Sequence, residues 1–179
     1  MKPIYTVDVH VKGIRPLLQN HGQEEENGAA KKGAVYDDVE ETEKRLIKDD
    51  KGSICQLATH FEGCLIKSGT EFKFKGQKTY KDIIKAGVLV DPYYIPHLIP
   101  EYRIHKAFVR IGKSRIMRCR PEFPEWELQF NVEVTDDRLQ APVLKQIFEN
   151  AGAYYGVGDW RPRFGLFDVI GWEVRNGNS

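Results

Sequence analysis

The sequence has no large excess of either charge. Its 27 lysines and arginines stand against 26 aspartates and glutamates, a net charge of +1 over 179 residues, so any surface that grips nucleic acid must be a local one. Cysteine is scarce. Cys55, Cys64 and Cys119 lie far apart with no C-x-x-C pair, which excludes a disulfide framework and, with no secretory leader ahead of the first strand-like run, predicts a reducing, cytoplasmic setting. No apolar run approaches the roughly 20 residues of a membrane-spanning helix, so a soluble protein with no membrane partner is expected. No cysteines or histidines fall at a ligand spacing, so neither a metal nor a cofactor is expected. There is no internal repeat, and the length suits a single domain over residues 1–179.

Strand and helix patterns are plain at both ends of the chain. In YTVDVHVKG, Tyr5, Val7, Val9 and Val11 alternate with Thr6, Asp8, His10 and Lys12, the pattern of a half-buried strand. Residues 20–52 form an acidic insertion, read as flexible because residues 23–33 have almost nothing to bury. Within it, Tyr36 to Lys48 carries acids early and bases late, as a surface helix does. SICQL reads as a short strand, and Thr59 with Glu62 as the capping box of a following helix. Residues 70–101 form a basic and proline-rich insertion in which Lys73 and Lys75 alternate with Phe72 and Phe74, and three prolines break VLVDPYYIPHLIP. YRIHKAFVRI, SRIMRCR and WELQFNVEV then read as adjacent strands of one antiparallel sheet. Leu139, Val143, Ile147 and Ala151 recur at helical spacing behind Pro142, and FGLFDVIGWEV closes the chain as a strand. The order predicts an α+β fold with a ferredoxin-like (RRM-like) βαββαβ core and an insertion after the first strand.

The residues that point to chemistry are mostly basic. In GVGDWRPRFG, Gly156 and Gly158 allow close backbone approach, Arg161 and Arg163 match phosphate oxygens, and Trp160 can stack on a base. Arg110, Lys113, Arg115, Arg118 and Arg120 form a second basic block on adjoining strands, a row able to follow a phosphate backbone beside Phe108. IGKS is not a nucleotide-binding loop, since Ala107 stands where that pattern needs glycine and the segment lies among strands. His60 at a helix start and His10 on the polar face of the first strand are the acid–base candidates, with Asp37 and Asp38 in a loop-proximal acidic run, and none is paired by spacing with a second catalytic group. PYYIPHLIP, Pro92 to Pro100, offers an apolar patch for contact between protomers.

Three segments together resemble the RAMP superfamily of CRISPR-associated proteins. GIRPLL, Gly13 to Leu18, is similar to the turn after the first strand of its crRNA-binding backbone subunits. SICQLATHFEGCLIKSG, Ser53 to Gly69, resembles the family's strand and first helix, and GVGDWRPRFGLFDV stands where its glycine-rich loop and last strand belong. The resemblance implies a stand-alone or mobile-element relative, such as a phage protein. It implies binding of single-stranded RNA or DNA without catalysis, and a homo-oligomer assembling along the strand. A metal-independent endoribonuclease using His60, and an assembly protein using the fold as scaffold, remain alternatives.

Overall fold

The computed structural model describes residues 2–21, 37–111 and 114–176. Strand β1, Tyr5–Gly13, buries its alternate residues Tyr5, Val7, Val9 and Val11 and lies at the centre of a four-stranded antiparallel sheet. Its neighbours are β10, Glu127–Val134, and β11, Phe167–Asn176, with β6, Val88–Asp91, at the far edge beyond β10. Val7 stands directly opposite Val132. Two helices cover one face. Helix α2, Ala58–Ser68, buries Ala58, Phe61, Cys64, Leu65 and Ser68, a stripe at helical spacing, and α4, Ala141–Asn150, buries Leu144, Ile147 and Phe148. Phe61 meets Phe130 at 4.5 Å between ring centroids, and Ser68 Oγ donates to the Ile147 carbonyl at 2.9 Å, tying the helices to the sheet and to each other. After α4 the chain continues through a π-helical turn, Ala151–Tyr155.

A second layer stands beside this sheet. Strands β8, Arg103–Ile111, and β9, Ser114–Phe123, form a long hairpin that β2, Leu17–Leu18, extends at one end. Helix α1, Asp38–Glu43, packs along β9. Short pairs complete the fold: β3, Cys55–Leu57, with β7, Tyr94–Pro96, and β4, Lys73–Lys75, with β5, Lys78–Thr79, the latter followed by α3, Lys81–Gly87.

Several expectations are corrected. The strands YRIHKAFVRI and SRIMRCR do not share a sheet with WELQFNVEV, because alternation identifies a strand without saying which partner it takes. The missing strand of the main sheet is Val88–Asp91, inside the segment read as an insertion over 70–101. The prolines that argued against regular structure stand just beyond it, and only Val90 of this edge strand is fully buried. Thr59 caps nothing: α2 starts one residue earlier, with Leu57 at the N-cap and no side-chain cap, and Glu62 Oε1 accepts from the Val90 N–H at 3.0 Å. The acidic helix is shorter than Tyr36 to Lys48, Asp37 caps it through the Val39 and Glu40 N–H groups, and Tyr36 lies outside the described residues. Much of 20–52 is likewise outside them, but Thr42, Leu46 and Ile47 are buried, so its C-terminal half belongs to the packed body.

Beneath this second layer His97 is only 8% exposed and stacks on Phe123 at 4.4 Å. Burial lowers its pKa from 6.5 to about 4. Above pH 6.5 the residue is neutral in both folded and unfolded chains. As pH falls from 6.5 towards 4, the unfolded chain gains a proton that the native state refuses, and stability falls by at most roughly 3 kcal/mol from this group. Denaturant titrations of the parent and His97→Gln across that window should show the parent's advantage shrinking as acid is added. A difference independent of pH contradicts the assignment.

Candidate nucleic-acid interface

The loop between the π-helical turn and β11 is closed on itself and pinned to the exit of β1. The Val157 N–H donates to Gly165 O at 2.9 Å, Asp159 N–H to Leu18 O at 2.8 Å and Gly165 N–H to Pro16 O at 2.8 Å. Gly156, Gly158 and Gly165 hold φ of 70°, 81° and 76°, where side chains are disfavoured. A Cβ on Gly158 would lie 2.5 Å from Leu17 Cδ1 and from Leu18 O, and one on Gly165 would lie 1.7 Å from Val157 O. The close approach these glycines permit is to the chain itself. Gly156 and Gly158 thus shape the loop, and their open sides are filled by Gly165, Leu166, Leu17 and Leu18.

What the loop presents is Trp160 to Arg163. Arg161, Pro162 and Arg163 are exposed at its apex, and Trp160 is half exposed at 38% with φ of 52°. The Trp160 ring covers the Arg120 guanidinium at 4.7 Å and meets the His105 ring edge at 5.7 Å. On its other side the loop reaches α2. The Arg161 charge bears on both His60 and Cys64, one turn apart on the same face of that helix. GIRPLL, the start of α2 and the glycine loop, far apart in sequence, therefore meet in space.

The basic row on the hairpin is broken up. Arg120 is 7% exposed, its Nε 3.1 Å from Asp159 Oδ2 but out of line for a hydrogen bond, and its Nη1 has no partner. It cannot touch a phosphate in this conformation. Arg118 pairs with Glu41 at 3.3 Å and Lys106 with Asp38. The Asp38 carboxyl, held by hydrogen bonds from Lys106 and Cys119, lies below its ordinary pKa. Glu41 Oε2 also accepts from the Cys119 N–H at 3.3 Å, so α1 closes the edge of β9 that β2 leaves open. Arg110 and Arg115 stand opposite each other, exposed, near the far end of the hairpin. There the Arg115 guanidinium lies 5.6 Å from the centre of the Phe108 ring, itself 60% exposed. Lys113 lies outside the described residues. Lys73 and Lys75 are exposed on β4 beyond the C-terminal end of α2, whereas the glycine loop lies against its start, a helix length of about 15 Å away.

The acid–base candidates are separated too. His10 Nε2 is 3.1 Å from Glu127 on the open face of the main sheet, while Asp37 and Asp38 are used by α1 and Lys106. That open face carries Asp8, Asp91, Glu127, Glu133, Asp168 and Glu173 against Lys12, His10 and Arg175, a balance that repels phosphates. Sequence reasoning missed Asp159 and Glu41 as the carboxylates that neutralise the row, and His105, the register partner of Arg120. The early acids of the Tyr36 to Lys48 run were the available signal. In PYYIPHLIP, Tyr93, Tyr94 and Leu98 are exposed and Ile95 and His97 buried. Among the described residues no group of histidine, cysteine and carboxylate side chains is placed to hold a metal ion, and no helix is long and apolar enough to cross a membrane.

No family model matches the sequence, and no curated protein matches it. Solved structures do. A chain of a type III-B Cmr-beta complex bound to cognate target RNA superimposes with a TM-score of 0.59 at 11% identity, over 97% of this chain and 61% of that one. A chain of a Cas6 product complex gives a TM-score of 0.36 at 12% identity, over 94% and 52%. This protein thus spans less than two thirds of the length of either neighbour. Its fold is that of the Cmr-beta chain.

Asp159→Asn should leave the Arg120 guanidinium buried without its counter-charge and lower unfolding stability by about 2–3 kcal/mol, less than for a fully enclosed pair because Asp159 is partly open. Adding Arg120→Met to that variant should recover most of the stability in chemical denaturation. If the double variant is no more stable than the single one, the pair is not what makes the site costly.

Proposed function

We propose that this chain is a RAMP-type protein that binds single-stranded RNA without cleaving it, through Arg161, Arg163 and Trp160. The order β11-β1-β10-β6, with α2 between β1 and β6 and α4 between β10 and β11, supports a ferredoxin-like βαββαβ core in which the β8–β9 hairpin is an insertion. One observation carries the reading. The loop that the sequence resemblance singles out is rigidly pinned by its glycines, yet turns two arginines and half a tryptophan to solvent. The acidic open face of the sheet leaves this side as the one a polyanion can approach. RNA is preferred over DNA because the Cmr-beta neighbour is itself bound to RNA.

Arg110 and Arg115 with Phe108 form a second contact of the same kind, and Lys73 and Lys75 a third. Arg118 and Arg120, paired with Glu41 and Asp159, tie the hairpin to α1 and to the loop rather than contacting the strand. Tyr93, Tyr94 and Leu98 supply an apolar surface for protomers aligned on one strand. The setting is inside the cell, where the three unpaired, buried thiols stay reduced.

Fluorescence anisotropy on short and long single strands across a salt series tests this. Arg161→Ala with Arg163→Ala should weaken binding equally for every sequence and flatten the salt dependence by roughly 0.7 unit for each phosphate no longer neutralised. Trp160→Ala should cost roughly 1–3 kcal/mol with little change of slope, and Tyr94→Asp should reduce cooperativity on long strands more than affinity for short ones. Labelled RNA should stay intact. Parent-like binding by the double arginine variant at every salt concentration means the loop is only a turn, and RNA cleavage abolished by His60→Ala would replace this reading with a nuclease.

A further inference from the structure

Beneath the loop, a chain of buried amides leads to His60 and is anchored on backbone groups whose roles cannot be exchanged. The Ile47 N–H, which can only donate, bonds Gln19 Oε1 at 3.0 Å. Gln19 Nε2 donates to the Cys55 carbonyl, which can only accept, at 2.7 Å. Those two contacts fix which end of the Gln19 amide is nitrogen. Gln19 Nε2 also lies 3.0 Å from Gln56 Oε1 and 3.3 Å from His97 Nε2; its second proton goes to the nearer oxygen, which in turn fixes Gln56, and Gln56 Nε2 lies 2.6 Å from His60 Nδ1. An amide nitrogen has no lone pair to offer. His60 Nδ1 must therefore accept, and the ring proton of the neutral imidazole is on Nε2. Gln19 and Gln56 are 1% and 0% exposed, so this polar chain is part of the core rather than a surface accident.

We propose that the Gln19–Gln56 relay holds His60 as the neutral Nε2–H tautomer, making it a hydrogen-bond donor to a phosphate oxygen of the bound strand beside Arg161. The proposal rests on the reading of the Gly156–Gly165 loop as the RNA interface. Two features support it. Nε2 lies on the side of the ring turned away from the relay and makes no hydrogen bond to another described residue. Burial, then the charge of Arg161 and that of His21, hold the His60 pKa below its ordinary value, so the ring is neutral at neutral pH. In this tautomer the free nitrogen already carries its proton and cannot take one from a ribose hydroxyl, as the proposed non-cleaving role requires. Gln19 and Gln56 are positioning residues, and His60 makes the contact.

The tautomer is read directly in the free protein by long-range proton–nitrogen NMR on 15N-histidine-labelled material at neutral pH. The expected spectrum is Nε2–H for His60, and an Nδ1–H or doubly protonated ring overturns the proposal. Gln56→Glu presents an acceptor to Nδ1 and should draw a proton onto it; a folded variant whose His60 spectrum is unchanged shows that the relay does not set the tautomer. His60→Leu should bind a short uridine RNA about tenfold more weakly with an unchanged salt slope, because a neutral donor displaces no counterion. His60→Gln, which keeps an N–H near the position of Nε2, should recover most of the affinity. A reduced slope in His60→Leu would mean a charged histidine, and parent-like binding would mean no contact; either refutes the proposal while RNA binding by the parent still stands. Failure of the parent to bind RNA would refute the underlying reading instead, and the spectrum would still decide the relay.

Discussion

One close approach of backbone to backbone organises the functional side of this protein. From Gly156 to Gly165 the chain lies against Pro16 to Leu18 with no space for a Cβ at Gly158, and the loop's own ends meet at Val157 and Gly165 with none there either. Because the contact is made of main-chain hydrogen bonds and left-handed glycines, it leaves the side chains of Arg161 and Arg163 turned to solvent, while Trp160 covers Arg120. The same contact brings the exit of β1, the start of α2 and the last loop into one place. A site assembled from three distant segments thus depends on residues that have no side chain.

Charge follows a complementary logic. The near-zero total hides an arrangement in which acids neutralise bases in the middle of the hairpin while bases at its far end and on the loop stay exposed. Asp38 and Glu41 engage Lys106 and Arg118, Asp159 engages Arg120, and six carboxylates populate the open sheet face. Exposed bases near the loop are Arg161, Arg163 and Arg15, whose Nη1 donates to the Pro162 carbonyl at 3.0 Å, and Arg110 and Arg115 stand at the far end of the hairpin. At physiological salt the screening length is about 8 Å. Two separated clusters therefore act as local contacts rather than as one long-range field.

Much of this is legible in the sequence, and what is not has physical causes. The alternation of β1 and of β10 and the stripe of α4 can be read because each is a local pattern of buried residues. Val88–Asp91 is hidden because an edge strand with one buried residue beside Pro92 lacks the alternation of a central one. The two hairpin strands are visible in the sequence but their sheet is not, since the choice between pairing with β10 and pairing with β2 is made by tertiary contacts. The relay through Gln19, Gln56 and His60 leaves no trace, because glutamines bonded through space have no sequence period.

The distribution of unmet polar groups separates scaffold from working parts. In the main sheet and its helices the buried polar groups are satisfied: Tyr5 Oη donates to Leu139 O at 2.7 Å, Ser68 to Ile147 O, and Trp126 Nε1 to Arg15 O at 2.9 Å. Among the described residues six buried side-chain atoms lack a hydrogen-bond partner: Arg45 Nε and His97 Nδ1 stand apart, while His105 Nε2, Arg120 Nε and Nη1, and Asp159 Oδ2 gather where the hairpin meets the loop, beneath a tryptophan at positive φ. Each such group costs about 1–3 kcal/mol relative to a satisfied one. A conformation that lifts Trp160 and lets water or an anionic oxygen reach Arg120 regains part of that cost, whereas no comparable gain awaits a rearrangement of the sheet. The hairpin–loop contact thus holds most of the unmet buried polar atoms among the described residues, and it lies directly beside the arginines that face solvent.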